Sequence, residues 1–205
     1  MKKIILTLSV IALAIAAPAQ SSKAKAVLDK TSAVIRNAGD IKADFSANAT
    51  SGSMSGTIYI HKNMLHLTSS NAKCWFDGKT LRTYRKNTNE VNITTPTAAE
   101  KQSINPYQFI NMYKKGYTYT MRETTLRGKA TYEVTLNATS PTNKLRKMVI
   151  NIDKATYYPV SVNMQRVKGS TTIYITSCKT KQKFNPKTFS FNSSDYPSAE
   201  IIDLR

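Results

Sequence analysis

The chain has 205 residues and a formal net charge of +18, from 30 lysine and arginine residues against 12 acidic ones. This length accommodates one domain with a substantial hydrophobic core. Such a basic excess is common in nucleic-acid-binding proteins, but here the charges are scattered and no predicted helix clusters them, which argues against a nucleic-acid partner. The two cysteines, Cys74 and Cys178, are too few for a disulfide-stapled scaffold or a zinc cluster. The sequence leaves open whether they form one disulfide bond.

Residues 1–19 have the composition of a secretory signal peptide. Lys2 and Lys3 precede an apolar run, Ile4–Ala17, and Ala17-Pro18-Ala19 supplies small residues around a cleavage position. The apolar run is too short for a stable transmembrane span. No cysteine follows it, so we expect a periplasmic protein without a lipid anchor. Residues 20–205 would form a single domain, and the loss of two lysines would reduce the net charge from +18 to +16.

Two amphipathic helices are predicted. Apolar residues recur at helical spacing through Ser22–Asn37, and Gly39 is a stop signal. Asn105 and Pro106 provide a cap and a first-turn proline for a second helix, Pro106–Lys115. Each helix has one apolar stripe that must cover another apolar surface, either as a movable lid or as ordinary core. The stripe residues are Val27, Val34 and Ile35 in the first helix and Phe109, Ile110, Met112 and Tyr113 in the second.

The remainder of the chain predicts about eleven short strands, of which the last is Pro186–Phe191, followed by a polar tail. Nearly all alternate between apolar and polar residues, which indicates sheets with one buried face and one hydrated face. Asp77-Gly78 predicts a tight hairpin between two of them. So many antiparallel strands must curl or close. The predicted fold is therefore mostly β with a few helices: an incomplete, half-open antiparallel β-barrel with a helical lid.

One register of this alternation assigns a set of residues to an apolar hollow beneath the lid. A shift of one residue would turn the whole set toward solvent, and the alternative register would use the faces that carry Tyr59, Cys74, Phe76 and Tyr84. An apolar hollow of this kind suits a lipid ligand. The assigned residues are Phe45, Ile58, Ile60, Leu65, Leu67, Trp75, Leu81, Val134, Leu136, Ile150, Ile152, Val162, Met164, Ile173 and Ile175.

No catalytic or metal-binding constellation is recognisable. His61 and His66 lie in or beside strands and alternate with apolar residues. The sequence has no Gly-x-Ser-x-Gly elbow and no His-x-x-x-His or Cys-x-x-Cys spacing. We therefore expect a protein without enzymatic activity, metal or cofactor.

Several motifs follow one another in an order typical of a known family. Gly56–Leu65 is followed by the hairpin Trp75–Tyr84, then by the second helix, the paired strands Met148–Asp153 and Val160–Met164, and finally Phe189-Ser190-Phe191. In this order the chain resembles the LolA family of periplasmic outer-membrane lipoprotein carriers. The resemblance implies a monomer that binds the acyl chains of lipoproteins in its hollow. It would receive them from an inner-membrane lipoprotein-releasing transporter and pass them to an outer-membrane acceptor.

The chain departs from the family pattern at Lys62-Asn63, where the family has an Arg-Pro pair. The family's arginine is associated with holding the lid closed, and lysine is a poorer multidentate donor than arginine. Lys62 is thus a rim or latch candidate, with His61 and Lys73 nearby. Two other functions fit the same hollow: a carrier of another acylated or polyene lipid, and a periplasmic stress protein that senses lipoproteins.

Overall fold

The computed structural model describes residues 11–97, 100–101 and 112–205. Helix α1 (Ile11–Arg36) is followed by strands that lie in one sheet. The strands are β1 (Asp40–Ala49), β2 (Gly52–His61), β3 (Met64–Ser69), β4 (Ala72–Phe76), β5 (Leu81–Arg85), β6 (Glu90–Thr94), β7 (Tyr117–Leu126), β8 (Lys129–Ala138), β9 (Leu145–Asp153), β10 (Pro159–Arg166), β11 (Gly169–Gln182) and β12 (Glu200–Asp203). The predicted class, mostly β with an open sheet, is confirmed.

The sheet consists of two antiparallel meanders, β1–β6 and β7–β11, in which each strand pairs with the next. The two meanders are joined by antiparallel pairing of β1 with β11, which is interrupted by a bulge between Asp44 and Phe45. Strand β12 pairs in parallel with β6 and forms one edge, and β7 forms the other. The edges do not meet, so the sheet is open as predicted.

Helix α1 packs on one face of this sheet, which we call the inner face. Its buried residues Ala24, Leu28, Thr31 and Ile35 follow one another at spacings of four and three residues, so they form a single stripe. The helix ends at Arg36, and Gly39 has a φ of 64°, the left-handed conformation expected just beyond a helix terminus. The first predicted helix, Ser22–Asn37, is therefore confirmed, although α1 begins earlier, at Ile11, within the residues predicted to be a signal peptide. Most of the second lies outside the described residues, which show one 3-10 turn at Met112–Lys114.

The C-terminal part differs from the prediction. Pro186–Phe191 was expected to be the last strand, but Pro186–Phe189 is a 3-10 helix. The side-chain oxygen of Asn185 accepts a hydrogen bond from the Lys187 amide at 3.0 Å, and Pro186 has the restricted φ that suits a first helical position. The predicted polar tail also contains strand β12. Its pairing with β6 is a long-range interaction that local patterning does not reveal.

Candidate functional site

All but one of the residues predicted to line the hollow lie on the inner face. The strand register aligns Val134 with Ile150 and Ile150 with Val162 across β8, β9 and β10. On the other side of the β1–β11 pair it aligns Ile58 with Leu67. The inner-face residues from the prediction are Phe45, Ile58, Ile60, Leu65, Leu67, Leu81, Val134, Leu136, Ile150, Ile152, Val162, Met164, Ile173 and Ile175.

Burial along the inner face is uneven. Beneath α1, Val134, Leu136 and Ile152 are completely buried. Toward the β2–β5 side, Ile60 and Leu65 are buried, whereas Ile58, Leu67 and Leu81 are only partly buried. Cys74 and Phe76, which the sequence placed in the alternative register, share this side because they pair with Leu67 and Leu65. The inner face is therefore a continuous apolar surface that α1 covers unevenly.

Helix α1 covers the inner face mainly through apolar contacts. Val27, Leu28 and Ile35 are buried against the sheet, and Val34 is half-buried. Tyr113, from the 3-10 turn, is buried in the same cluster as Val27 and Leu28. Phe109 and Ile110 lie outside the described residues, as does the side chain of Met112. The stripe of α1 thus packs where the sequence predicted, and whether it opens as a lid stays a prediction.

Two polar contacts connect α1 to other parts of the described chain through Asp29 and Lys30. The Tyr113 hydroxyl donates a hydrogen bond to the Asp29 carboxylate. A hydrogen bond from Lys25, and then that from Tyr113, lower the pKa of Asp29, while burial and the Asp29 contact raise the pKa of Tyr113. One residue further along the helix, the Lys30 ammonium lies 4.0 Å from the centre of the Tyr157 ring. These two contacts were not predicted, because Tyr113 and Tyr157 are remote from α1 in sequence.

Thr31 is a polar residue at the centre of the apolar stripe. Its side chain is buried, and its Oγ1 has no hydrogen-bond partner within the described part of the chain. A buried hydroxyl without a partner costs roughly 1–3 kcal/mol. This cost makes the closed packing of α1 less stable than a wholly apolar stripe would make it.

Trp75 is the exception among the predicted hollow residues, and its assignment to the inner face is wrong. It pairs with His66 and Arg82, which lie on the opposite, outer face. There the rings of Tyr59, His66 and Trp75 stack in a row, with centroid distances of 5.6 and 5.1 Å. Both faces of β4 are therefore buried, one by the inner apolar surface and one by this aromatic row.

The C-terminal segment covers the aromatic row. Phe191 and Tyr196 contact Trp75 edge-on at 5.4 and 5.8 Å, and Phe184 contacts Tyr59 at 5.6 Å. Phe189 is buried beside them. The residues that the sequence assigned to a closing strand instead shield the outer face of β2–β5.

His66 should make stability pH-dependent. Burial between Tyr59 and Trp75 lowers the pKa of His66 below its ordinary value of about 6.5, although its Nδ1–H donates to the Cys74 carbonyl at 3.1 Å. Below about pH 6.5 the unfolded chain then binds more protons than the folded one, so stability falls as the pH decreases. We expect denaturation midpoints to decrease from about pH 7.5 to about pH 5.5, and His66→Gln to reduce this decrease. Equal pH profiles for both proteins would contradict this role.

The predicted rim residues are dispersed. Lys62 is exposed in the β2–β3 turn, with a φ of 51°, and no described residue pairs with its ammonium group. His61 contacts Asp40 at 2.6 Å, and the Lys73 ammonium donates to the Tyr196 hydroxyl at 3.1 Å, both on the outer face. The hydrogen bond and the cation–π contact that connect α1 to Tyr113 and Tyr157 involve Asp29 and Lys30, not Lys62.

Cys74 and Cys178 are both free thiols. They lie on β4 and β11, with β3, β2 and β1 between them, so the sheet keeps them apart. Burial raises the pKa of both. No described helix has the length and apolar character needed to cross a membrane.

Two clefts lie away from the centre of the inner face. One, of about 380 Å³, lies between Ser69–Lys73 and the C-terminal residues Asp195–Ser198. The other, of about 290 Å³, lies between the β1–β2 turn and the β10–β11 turn, and Arg166 and Lys168 are among its lining residues.

Similar folds occur among solved structures. An uncharacterized conserved protein from Thermus thermophilus superposes with a TM-score of 0.60 at 11% identity, covering 88% of this chain and 99% of that one. LprF from Mycobacterium bovis gives a TM-score of 0.51 at 11% identity, covering 83% and 99%. A DUF1329 family protein from Desulfovibrio piger gives 0.50 at 10% identity, covering 86% and 99%. At these identities the similarity establishes the fold alone.

No curated protein matches the sequence significantly. A family model described as outer membrane lipoprotein carrier protein LolA matches residues 14–168, about three quarters of the chain. The match covers α1 from residue 14 and strands β1–β10, and it leaves out β11 and β12. The chain belongs to the LolA family of outer membrane lipoprotein carrier proteins.

Proposed function

We propose that this protein is a periplasmic carrier that binds the acyl chains of lipoproteins on its inner face and carries them from the inner to the outer membrane. The observation that supports this most is the continuous apolar inner face beneath a separate helix. Helix α1 packs on this face through one apolar stripe, and the described contacts that reinforce it include the Asp29–Tyr113 hydrogen bond and the Lys30–Tyr157 cation–π contact. Displacing α1 would leave an apolar surface that an acyl chain could cover in its place.

The energetics favour such an exchange. Each buried methylene of an acyl chain contributes roughly 0.8 kcal/mol before the cost of opening. The chain would replace contacts made by Val27, Leu28 and Ile35, and it would remove Thr31 from the site where its hydroxyl has no partner among the described residues. Affinity should therefore increase with acyl-chain length and change little with salt.

The compartment and the partners belong to the same proposal. Export would follow from the signal peptide in residues 1–19, with residues 20–205 forming the carrier domain. The strongly basic surface would dock on an inner-membrane releasing transporter and then on an outer-membrane acceptor, both through contacts that salt weakens. The acyl chains of the lipoprotein are the ligand, and the proposal includes no covalent step, metal or cofactor.

The experiment combines binding of a fluorescent fatty acid with mass spectrometry of molecules that co-purify with the protein. Saturable binding and co-purified triacylated peptides would support a lipoprotein carrier. Co-purified polyene esters would instead support a carrier of another lipid. A protein that binds no fatty acid and carries no lipid would overturn the proposal.

Tyr113→Phe tests whether α1 is a lid. The substitution removes the hydrogen bond to Asp29 and keeps the aromatic ring, so the closed state loses one charge-assisted contact. Because a ligand must displace the closed state, we expect the apparent affinity for the fatty acid to increase severalfold. Amide hydrogen exchange in α1 should become faster at the same time.

Tyr117→Phe is the matched control. The Tyr117 hydroxyl on β7 donates to the Leu145 carbonyl on β9 at 3.2 Å. This hydrogen bond lies within the sheet and does not involve α1. This variant should bind the fatty acid as the wild type does. If both variants change affinity equally, or neither changes it, the Asp29–Tyr113 contact does not control access.

A further inference from the structure

The cleft between the β1–β2 and β10–β11 turns has the chemistry of an anion site. It has a volume of about 290 Å³, and its lining includes Arg166, Lys168, Ser51, Ser170 and Thr171. None of its lining residues is acidic. Arg166 and Lys168 are exposed and take part in no ion pair within the described residues. The cleft therefore presents two cations that no carboxylate of the described chain neutralises.

The cleft is already formed without a ligand. The Thr50 amide donates to the Ser170 carbonyl at 3.1 Å, and the Ser170 amide donates to the Thr50 hydroxyl at 3.0 Å, so the two turns are tied together. Gly169 has a φ of 128°, and a Cβ there would lie 2.7 Å from Thr50 Oγ1, so only glycine allows this approach. A preformed site loses little conformational entropy when it binds.

The cleft adjoins the inner apolar face. Thr171, which lines the cleft, is the register partner of Ala49 on one side and of Met164 on the other. Met164 is buried in the apolar cluster beneath α1. A molecule with acyl chains on the inner face could therefore place a headgroup in the cleft without leaving the sheet.

We propose that the cleft binds the phosphate group of an acylated lipid whose chains lie on the inner face. The inference rests on the acyl binding of the proposed function and concerns its second class of cargo, another acylated lipid, because the diacylglyceryl-cysteine anchor of a lipoprotein has no phosphate group. A phosphate oxygen accepts hydrogen bonds from guanidinium, ammonium and hydroxyl groups, and these are the side-chain donors that the cleft offers. An ester or amide headgroup without charge would gain much less from two unpaired cations.

The test compares four soluble probes: a monoacyl glycerol phosphate, a monoacylglycerol with the same chain, glycerol phosphate and inorganic phosphate. We expect the wild type to bind the acylated phosphate about tenfold more tightly than the uncharged lipid. The double variant Arg166→Gln/Lys168→Gln should lose this preference and still bind the monoacylglycerol. Lys79→Gln/Lys187→Gln removes two charges elsewhere and should keep the preference.

The outcomes separate this inference from the function on which it rests. Equal binding of both lipids by the wild type would overturn the headgroup site and leave the carrier function intact. Binding of neither lipid would overturn both. If inorganic phosphate or glycerol phosphate binds as tightly as the acylated phosphate, the cleft is a phosphate site unrelated to a lipid. If the wild type shows no preference among the soluble lipids but sediments with anionic vesicles, and the Arg166→Gln/Lys168→Gln variant does not, the cleft contacts a membrane surface and the headgroup assignment is overturned.

Discussion

Leu67→Glu should reduce the affinity for a fluorescent fatty acid at least about tenfold, because a carboxylate on the inner face would have to be buried against an acyl chain. Leu67 is suited to this test since it lies on the inner face and is only partly buried. The glutamate can therefore remain hydrated while the ligand is absent, and the fold should tolerate it. Titration of the fatty acid measures the loss.

The neighbouring residue provides the control. Thr68 lies on the outer face, paired with Thr57 and Lys73, so Thr68→Glu adds the same charge to the same strand beside a lysine. It should bind the fatty acid as the wild type does. If both glutamates reduce the affinity equally, the effect is one of overall charge or stability. If neither reduces it, the ligand does not contact the inner face at Leu67.

Trp75→Ala should lower the free energy of unfolding by about 3–5 kcal/mol, the usual cost of removing a buried large aromatic side chain. Trp75 is 6% exposed and contacts His66, Phe191 and Tyr196. Because these contacts are on the outer face, the affinity for the fatty acid should not change under conditions in which the variant remains folded. Denaturant unfolding and ligand titration measure the two quantities separately.

A double-mutant cycle that combines Trp75→Ala with Phe191→Ala tests why Trp75→Ala loses stability. If the C-terminal segment stabilises the sheet by covering Trp75, the losses from the two substitutions will add to more than the loss in the double variant. Additive losses would mean that Trp75 and Phe191 contribute independently. A large loss of fatty-acid affinity in Trp75→Ala would contradict its placement on the outer face.

The sequence predicted the inner face well where apolar and polar residues alternate along a strand. Alternation in β8, β9 and β10 identified Val134, Ile150 and Val162, because their neighbours in sequence are mostly polar. In β4 the run Cys74-Trp75-Phe76 has no polar residue, so the period of two could not distinguish the faces. The pairing of Phe76 with Leu65 decides the assignment, and that pairing is known only once the sheet has formed.

The C-terminal contacts were unpredictable for a related reason. Phe189 and Phe191 alternate as a strand would, yet they pack on a face that another element provides. Strand β12 has four residues and pairs with β6, which lies far earlier in the chain. Long-range pairing of this kind overrides local propensity.

The pairing of β1 with β11 also determines the order in which the chain can fold. The two meanders consist of neighbours in sequence, so each can form by local hairpin closure, which is fast. Their junction requires Asp40 to pair with Gln182. Because closing so long a loop has a large entropic cost, we expect this pairing to form after the hairpins. Until β11 has emerged during synthesis, β1 has an unpaired edge beside apolar residues, which is a site for aggregation or for a chaperone. Truncations before Gln182 should therefore yield chains that associate with one another rather than smaller folded domains.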